Sequence, residues 1–194
     1  MTRNAKAACI AAGAVILLLQ VTAHGLAAVT LPSVFGSGMV LQRNAPIPVW
    51  GKAVPGDLVT VRFNGSDLST VTAADSMWRV TLPPCDAGGP YTLEIAGTNT
   101  ILLHNVMVGE VWICAGQSNM EFTMAKSSES ERDIRLAGDE QLRVFLIKRM
   151  IAEQPQFTCD AQWESCAASN VGAFSAVAYY FGKRLRETLH VPVP

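Results

Sequence analysis

The sequence is poor in charge, in histidine and in closely paired cysteines, and each shortage removes a class of function. Charged residues make up 16% of the 194 positions against 49% for the hydrophobic set. That balance is too apolar for a disordered chain and sufficient for a packed core. Residues 1–27 hold Arg3 and Lys6 and no acidic residue, so the remainder sets 13 basic side chains against 16 acidic ones. A slightly acidic remainder without a basic cluster argues against a nucleic-acid partner. There are three histidines, His24, His104 and His190, and no C-x-x-C pair, so the ligand spacings of zinc sites are missing. One apolar stretch approaches membrane length, "ACIAAGAVILLLQV", and its 14 residues fall short of the roughly 20 that a bilayer-spanning helix needs. No stable membrane span is expected.

That stretch follows Arg3 and Lys6 and precedes the small residues of "TAHGLAAV". The order is that of a secretory signal peptide over residues 1–27, cleaved near Gly25 to Ala28, with a retained signal anchor as the alternative. The expected location is secreted or periplasmic. Export also opens the way to disulfides. Cys9 departs with the leader, leaving Cys85, Cys114, Cys159 and Cys166. Cys159 and Cys166 frame the short stretch "CDAQWESC" and are expected to pair, whereas Cys114 lies in an apolar run and reads as a buried free thiol.

Two textures follow the leader. Over residues 28–105, short runs alternate apolar with polar positions: "MVLQR", "IPVWGK", "LVTVRFN", "STVTA", "WRVTLP", "YTLEIAG" and "TILLHN". Turn residues separate them, among them Pro55-Gly56-Asp57 and Asn64-Gly65. Period-two alternation with this punctuation predicts a β-sandwich module, with Trp50 and Trp78 in its core in preference to a sugar-stacking role. Over residues 106–194 the pattern changes. "VMVGEVWICAG" is almost continuously apolar, as in a parallel strand covered on both faces. A charged helical segment, a second strand in "LRVFLIKR", a loop holding Cys159, Trp163 and Cys166, and a final helix follow. That helix carries Phe174, Val177, Ala178, Phe181, Leu185 and Leu189 on one stripe, with Gly182 inside it as a position of tight packing. Strand, helix, strand, helix is the beginning of an α/β domain, and "HVPVP" leads into a third strand.

Within "ICAGQSNMEF" the apolar run stops at Gly116 and delivers Ser118 just past the carboxyl end of the predicted strand, where ligands of α/β sheets bind. Gly116 would let the backbone turn sharply. Ser118 is then either a nucleophile beside free N–H groups or a helix cap, and the residues alone leave both open.

"SGMVLQRNAPIPVWG", "AGGPYTLEI", "GEVWICAGQSNMEF" and "FSAVAYYFGKRL", in this order, resemble the sialate O-acetylesterase family of SGNH hydrolases, over its N-terminal portion and from about Leu31 to Pro194. The resemblance implies an SGNH (flavodoxin-like) α/β fold and a carboxylic ester hydrolase that removes O-acetyl groups from sialic acid or a related acetylated carbohydrate. It implies Ser118 as the catalytic nucleophile, whose own N–H is one oxyanion donor, Gln117 and Asn119 in support, and no metal or cofactor. The family's glycine-rich oxyanion stretch, its asparagine block and its D-x-x-H block do not occur in these 194 residues, so the chain has the look of a fragment and alone is expected to be inactive. His104 and His190 are expected to be structural. The rival reading is a non-catalytic exported carbohydrate-binding or interaction module.

Overall fold

The computed structural model describes residues 28–128 and 130–194; the leader predicted over residues 1–27 lies outside them. Seven strands come first: β1 (Val40–Gln42), β2 (Ile47–Lys52), β3 (Leu58–Phe63), β4 (Ser66–Val71), β5 (Met77–Leu82), β6 (Gly88–Ala96) and β7 (Thr100–Gly109). Five form a curled mixed sheet in the order β1-β7-β6-β3-β4, in which β1 runs parallel to β7. The remaining two form the antiparallel ladder β2–β5.

The alternation read from the sequence decides which faces meet. Val59, Val61 and Phe63 of β3, Leu93 and Ile95 of β6, and Val106 and Val108 of β7 are buried, and so are Ile47 and Val49 of β2 and Trp78, Val80 and Leu82 of β5. All belong to one cluster, so the sheet and the ladder share a core. Trp78 lies at its centre. Trp50 is half-buried at its margin, edge-on to Phe35 with ring centroids 4.7 Å apart. A Cβ on Gly51 would come within 2.7 Å of the Trp78 ring, which fixes glycine there. The β3–β4 hairpin closes through Asn64 and Gly65 at φ 46° and 80° between the paired Phe63 and Ser66. Two successive positive φ values make the turn the type I′ form that matches strand twist.

β7 runs from Thr100 to Gly109 with a register shift against β6 around Asn105, which stands at φ 56°, so the expected junction at residues 105 and 106 lies at an irregularity within the strand. A second core follows. α1 (Ser130–Leu136) is short, and β8 (Gly138–Phe145) pairs antiparallel with β9 (Trp163–Ala167). Trp163 and Cys166 therefore sit in a strand, not in the predicted loop. β8 begins earlier than "LRVFLIKR" and leaves Leu146 and Ile147 beyond its end, exposed.

α2 (Ala176–Leu189) starts at Ser175, whose side chain accepts the Ala178 N–H at 3.4 Å, and ends at His190 in the left-handed region at φ 54°. Its buried face differs from the predicted stripe. Ala176, Tyr179 and Gly182, spaced three apart, face the core, whereas Val177 and Phe181 are substantially exposed. The helix sits close at Gly182, where a Cβ would lie 3.0 Å from Leu142 Cδ1, while the Tyr179 ring fills the face beside it. Met124, Leu142, Cys166, Val171, Phe174, Tyr179 and Val193 complete this core.

Arg143, only 4% exposed, joins the two cores. Its guanidinium donates to the carbonyls of Gly38 and Asn105 at 2.6 Å each, to Asn105 Oδ1 at 2.9 Å and to the Glu140 carbonyl at 2.8 Å. Trp163 reinforces the join by donating its indole N–H to the Val34 carbonyl at 2.8 Å.

Candidate active site

Beyond Gly109 the chain leaves the sheet as an extended strap. Two clamps hold its start. The Glu110 carboxylate receives Arg43 Nε at 2.7 Å, and the Val111 N–H donates to Gln42 Oε1 at 2.8 Å. Gln42 and Arg43 stand at the end of β1, the parallel neighbour of β7. Past Val111 the strap has no strand partner among the described residues, and every residue from Trp112 to Asn119 is exposed.

This corrects two expectations. The run "VWICA" is not covered on both faces, and Cys114 is an exposed thiol rather than a buried one. The reason lies in the pairing: no second strand lies alongside, so apolar side chains meant for an interior meet solvent. Trp112 finds a partial partner among the described residues, edge-on to Phe181 of α2 at 5.2 Å.

The strap ends in a 3-10 turn over Ser118–Glu121. Gly116 makes no positive-φ bend, and a Cβ there would lie 2.9 Å from Met120 Cγ, so the methionine side chain would have to move aside. The Gln117 carbonyl accepts the Met120 N–H at 2.9 Å, and the Asn119 carbonyl accepts the Phe122 N–H at 3.3 Å. Downstream the turn is pinned to the start of α2: the Ala176 N–H donates to the Phe122 carbonyl at 2.8 Å, and the Met124 N–H to the Phe174 carbonyl at 2.9 Å. Met124 itself is fully buried.

Gln117, Ser118 and Asn119 thus share one exposed turn between a clamped strand and a buried anchor. The Ser118 hydroxyl meets no hydrogen-bond partner among the described residues. Its N–H occupies the first position of the turn, ahead of the first N–H that finds a carbonyl within it. A donor so placed is open to a ligand.

The histidines stand elsewhere. His104 is on β7, its N–H on Ser37 Oγ at 3.0 Å and its Nδ1 3.5 Å from Thr92 Oγ1. His190 caps the far end of α2 from the serine turn's anchor, and that 14-residue helix is about 21 Å long at 1.5 Å per residue.

The predicted Cys159–Cys166 bridge is not formed; the four cysteines among the described residues are free thiols. β9 aims Cys166 into the second core, while Cys159 lies in a loop tied to the sheet unit, its N–H donating to Ser33 Oγ at 2.9 Å and its carbonyl accepting that hydroxyl at 2.8 Å. Burial raises the Cys166 thiol above its ordinary pKa and pushes the neighbouring Tyr179 phenol up to about 12, so neither is a ready nucleophile.

No family model matches the chain. Among curated proteins, human sialate O-acetylesterase is 31% identical, with 83% of this chain and 35% of that protein covered. The mouse sialate O-acetylesterase is 30% identical, with 80% and 32% covered. Among solved structures, a carbohydrate acetylesterase from Xanthomonas citri superimposes with a TM-score of 0.83 at 38% identity, over 86% of this chain and 39% of that one. The chain is a homologue of the sialate O-acetylesterases. It spans about a third of the length of the curated relatives it matches.

In this sialate O-acetylesterase homologue the serine turn is visible in the sequence, and the residues that hold it are not. Glu110 carried a visible signal, a lone carboxylate inside an otherwise apolar run, which in a buried strand demands a cation. Arg43 and Gln42 carried none, because nothing local announces a partner 67 to 69 residues away.

Proposed function

We propose that this chain is part of an exported carbohydrate O-acetylesterase in which Ser118 is the nucleophile. The observation that carries the reading is the placement of a partner-free serine on an exposed turn within a chain similar to acetylesterases along most of its length. The substrate class is sialic acid, or a related sugar, acetylated on a hydroxyl. Ser118 Oγ attacks the acetyl carbonyl carbon and gives its proton to a base. The bond from that carbon to the sugar oxygen breaks, the sugar leaves as an alcohol carrying the proton, and water hydrolyses the acetyl-serine to acetate. The Ser118 N–H stabilises the oxyanion of each tetrahedral intermediate, and Gln117 and Asn119 support the turn. Neither metal nor cofactor enters these steps. The base is supplied by a D-x-x-H block outside these 194 residues, since His104 on β7 and His190 at the far end of α2 stand away from the serine turn. The sheet and ladder around Trp78 act as a β-sandwich that supports the site, and the leader directs export.

The test compares acetate release from O-acetylated sialic acid and from an aryl acetate. Residues 28–194 are expected to give no serine-dependent turnover. A version extended through a family D-x-x-H block is expected to gain it and lose at least about a thousandfold on Ser118→Ala. Full activity in the extended Ser118→Ala protein would refute the nucleophile. An extended protein that binds acetylated sugars without cleaving them would leave the carbohydrate-binding reading in its place.

A further inference from the structure

A cleft of about 320 Å³ opens where the two cores meet, with Pro90 and Met107 on the side of the sheet and Asp139, Glu140, Arg143 and Arg186 on the other. It lies away from the serine turn. Ala176, at the start of α2, is tied to Phe122 beyond that turn, whereas Arg186 lies in the helix's last turn, about 15 Å further along at 1.5 Å per residue. Two arginines in the cleft hold donors that the protein does not use. A guanidinium carries five N–H groups. Those of Arg143 reach four acceptors, so among the described residues one N–H at Nη2 is left over, in a residue only 4% exposed. Arg186 Nε is buried and stands 3.3 Å from Asp139 Oδ2 without the alignment of a hydrogen bond.

Buried donors without acceptors are costly, and a cleft that brings a ligand's oxygens to them removes the cost. Junctions between units are favoured places for small ligands, and this volume sits at the lower end of the roughly 300 to 1,000 Å³ that such pockets span. It suits a single ring. The charges decide the chemistry of that ring. Arg143 and Arg186 share the cleft with Asp139 and Glu140, two cations with two carboxylates, so an anion is opposed by the carboxylates and a cation by the guanidinium groups. A hydroxyl both donates and accepts. Neighbouring hydroxyls on one ring therefore satisfy both sides, accepting from arginine and donating to carboxylate. Asp139 is already oriented, its Oδ1 accepting the Gln141 N–H at 2.8 Å, and Glu140 is exposed at the rim. Pro90 and the buried Met107 add an apolar patch for the C–H face of a sugar ring. We propose that the junction cleft is a second carbohydrate site, which binds one neutral monosaccharide unit through its vicinal hydroxyls. The site depends neither on Ser118 nor on the esterase reading.

The test titrates the isotopically labelled chain with galactose and follows backbone amides and arginine Nε–H signals by NMR. The expected result is saturable shifts, at millimolar galactose, in the amides of residues 138–143 and in the Nε–H signals of Arg143 and Arg186. Glu140→Ala, at an exposed side chain, removes a charged acceptor and is expected to weaken binding at least about tenfold. Gly138→Leu adds bulk to the cleft where a Cβ meets nothing within 4 Å, and is expected to abolish the shifts. Absence of saturable shifts, or shifts that both substitutions leave unchanged, would overturn the site. Sodium acetate producing the same shifts in place of galactose would make the cleft an anion site and overturn the sugar. Ser118→Ala is expected to leave galactose binding as it is; its loss there would move the sugar to the serine turn and overturn the junction site. Acetate assays on the extended protein stand apart: absence of turnover with these shifts intact counts against the esterase reading and leaves the cleft standing.

Discussion

Replacing Arg143 with methionine would remove the fastener between the two cores. The guanidinium makes four donor contacts of 2.6 to 2.9 Å, three of them across to Gly38 and Asn105, while 96% of the residue's surface is withdrawn from water. Among the described residues no carboxylate forms an ion pair with it, so the carbonyl dipoles carry the stabilisation. Bonds to a charged group contribute about 1.5 to 3 kcal/mol each before offsets. Two offsets are large: methionine relieves the cost of burying a cation, and water can reach the acceptors on the exposed Asn105. A net loss of about 3 kcal/mol remains, or roughly 6 to 12 °C in Tm for a chain of this length. Arg143→Lys, a point charge that cannot reach all four acceptors, is expected to lose about half as much. Thermal unfolding followed by circular dichroism reads both. A Tm for Arg143→Met within about 2 °C of the parent would refute the claim that this side chain joins the cores.

Gly109→Ala places a methyl on the Pro192 backbone and is expected to release Val191–Pro194, seen as faster hydrogen exchange at the Val193 and Arg143 amides. Asp133, which accepts the Tyr180 hydroxyl at 2.8 Å and Lys183 Nζ at 3.3 Å, has its carboxyl held below the ordinary value of 3.8, first by the Tyr180 bond and then by Lys183. Its contribution is complete above the unfolded-state pKa and disappears as pH falls through the lowered folded value. The Tm of the parent should therefore fall more steeply than that of Asp133→Asn below about pH 4. Cys114 should react with a maleimide in the native chain while Cys166 reacts only on unfolding; a Cys159–Cys166 bridge in non-reducing peptide maps would contradict the free-thiol arrangement. Ser118→Ala, at an exposed hydroxyl without a partner, should leave Tm within about 2 °C, since such surface changes stay within about 0.5 kcal/mol.

The strands were legible because each carries its own instruction. Val59, Val61 and Phe63 alternate inward in a six-residue run, and Asn64-Gly65 states the turn that follows. Ser118 was legible as the end of an apolar run. What escaped was everything that depends on a distant surface. Val177 and Phe181 look like a core stripe in isolation, yet the face that packs is the one carrying Ala176, Tyr179 and Gly182, with Gly182 close against Leu142. Cys114 looked buried because its neighbours are apolar, yet burial belongs to the pairing of strands and not to the composition of one. The Glu110–Arg43 clamp and the Arg143 fastener link positions 67 and up to 105 residues apart, which no local period can announce.

The strap also sets a ruler. Residues 111–123 must reach from the Glu110 clamp to the Met124 anchor, and both ends are fixed by partners that do not belong to the strap. Adding or removing one residue there cannot be absorbed as it is in a hairpin tip such as Asn64-Gly65. It would shift Ser118 by about 3.3 Å and turn alternate side chains to the opposite face. The length of this segment is therefore under tighter restraint than the identity of its exposed side chains: Ile113 or Cys114 can be exchanged in place, but a one-residue insertion between Glu110 and Thr123 would move the hydroxyl off its mark with every contact residue still present.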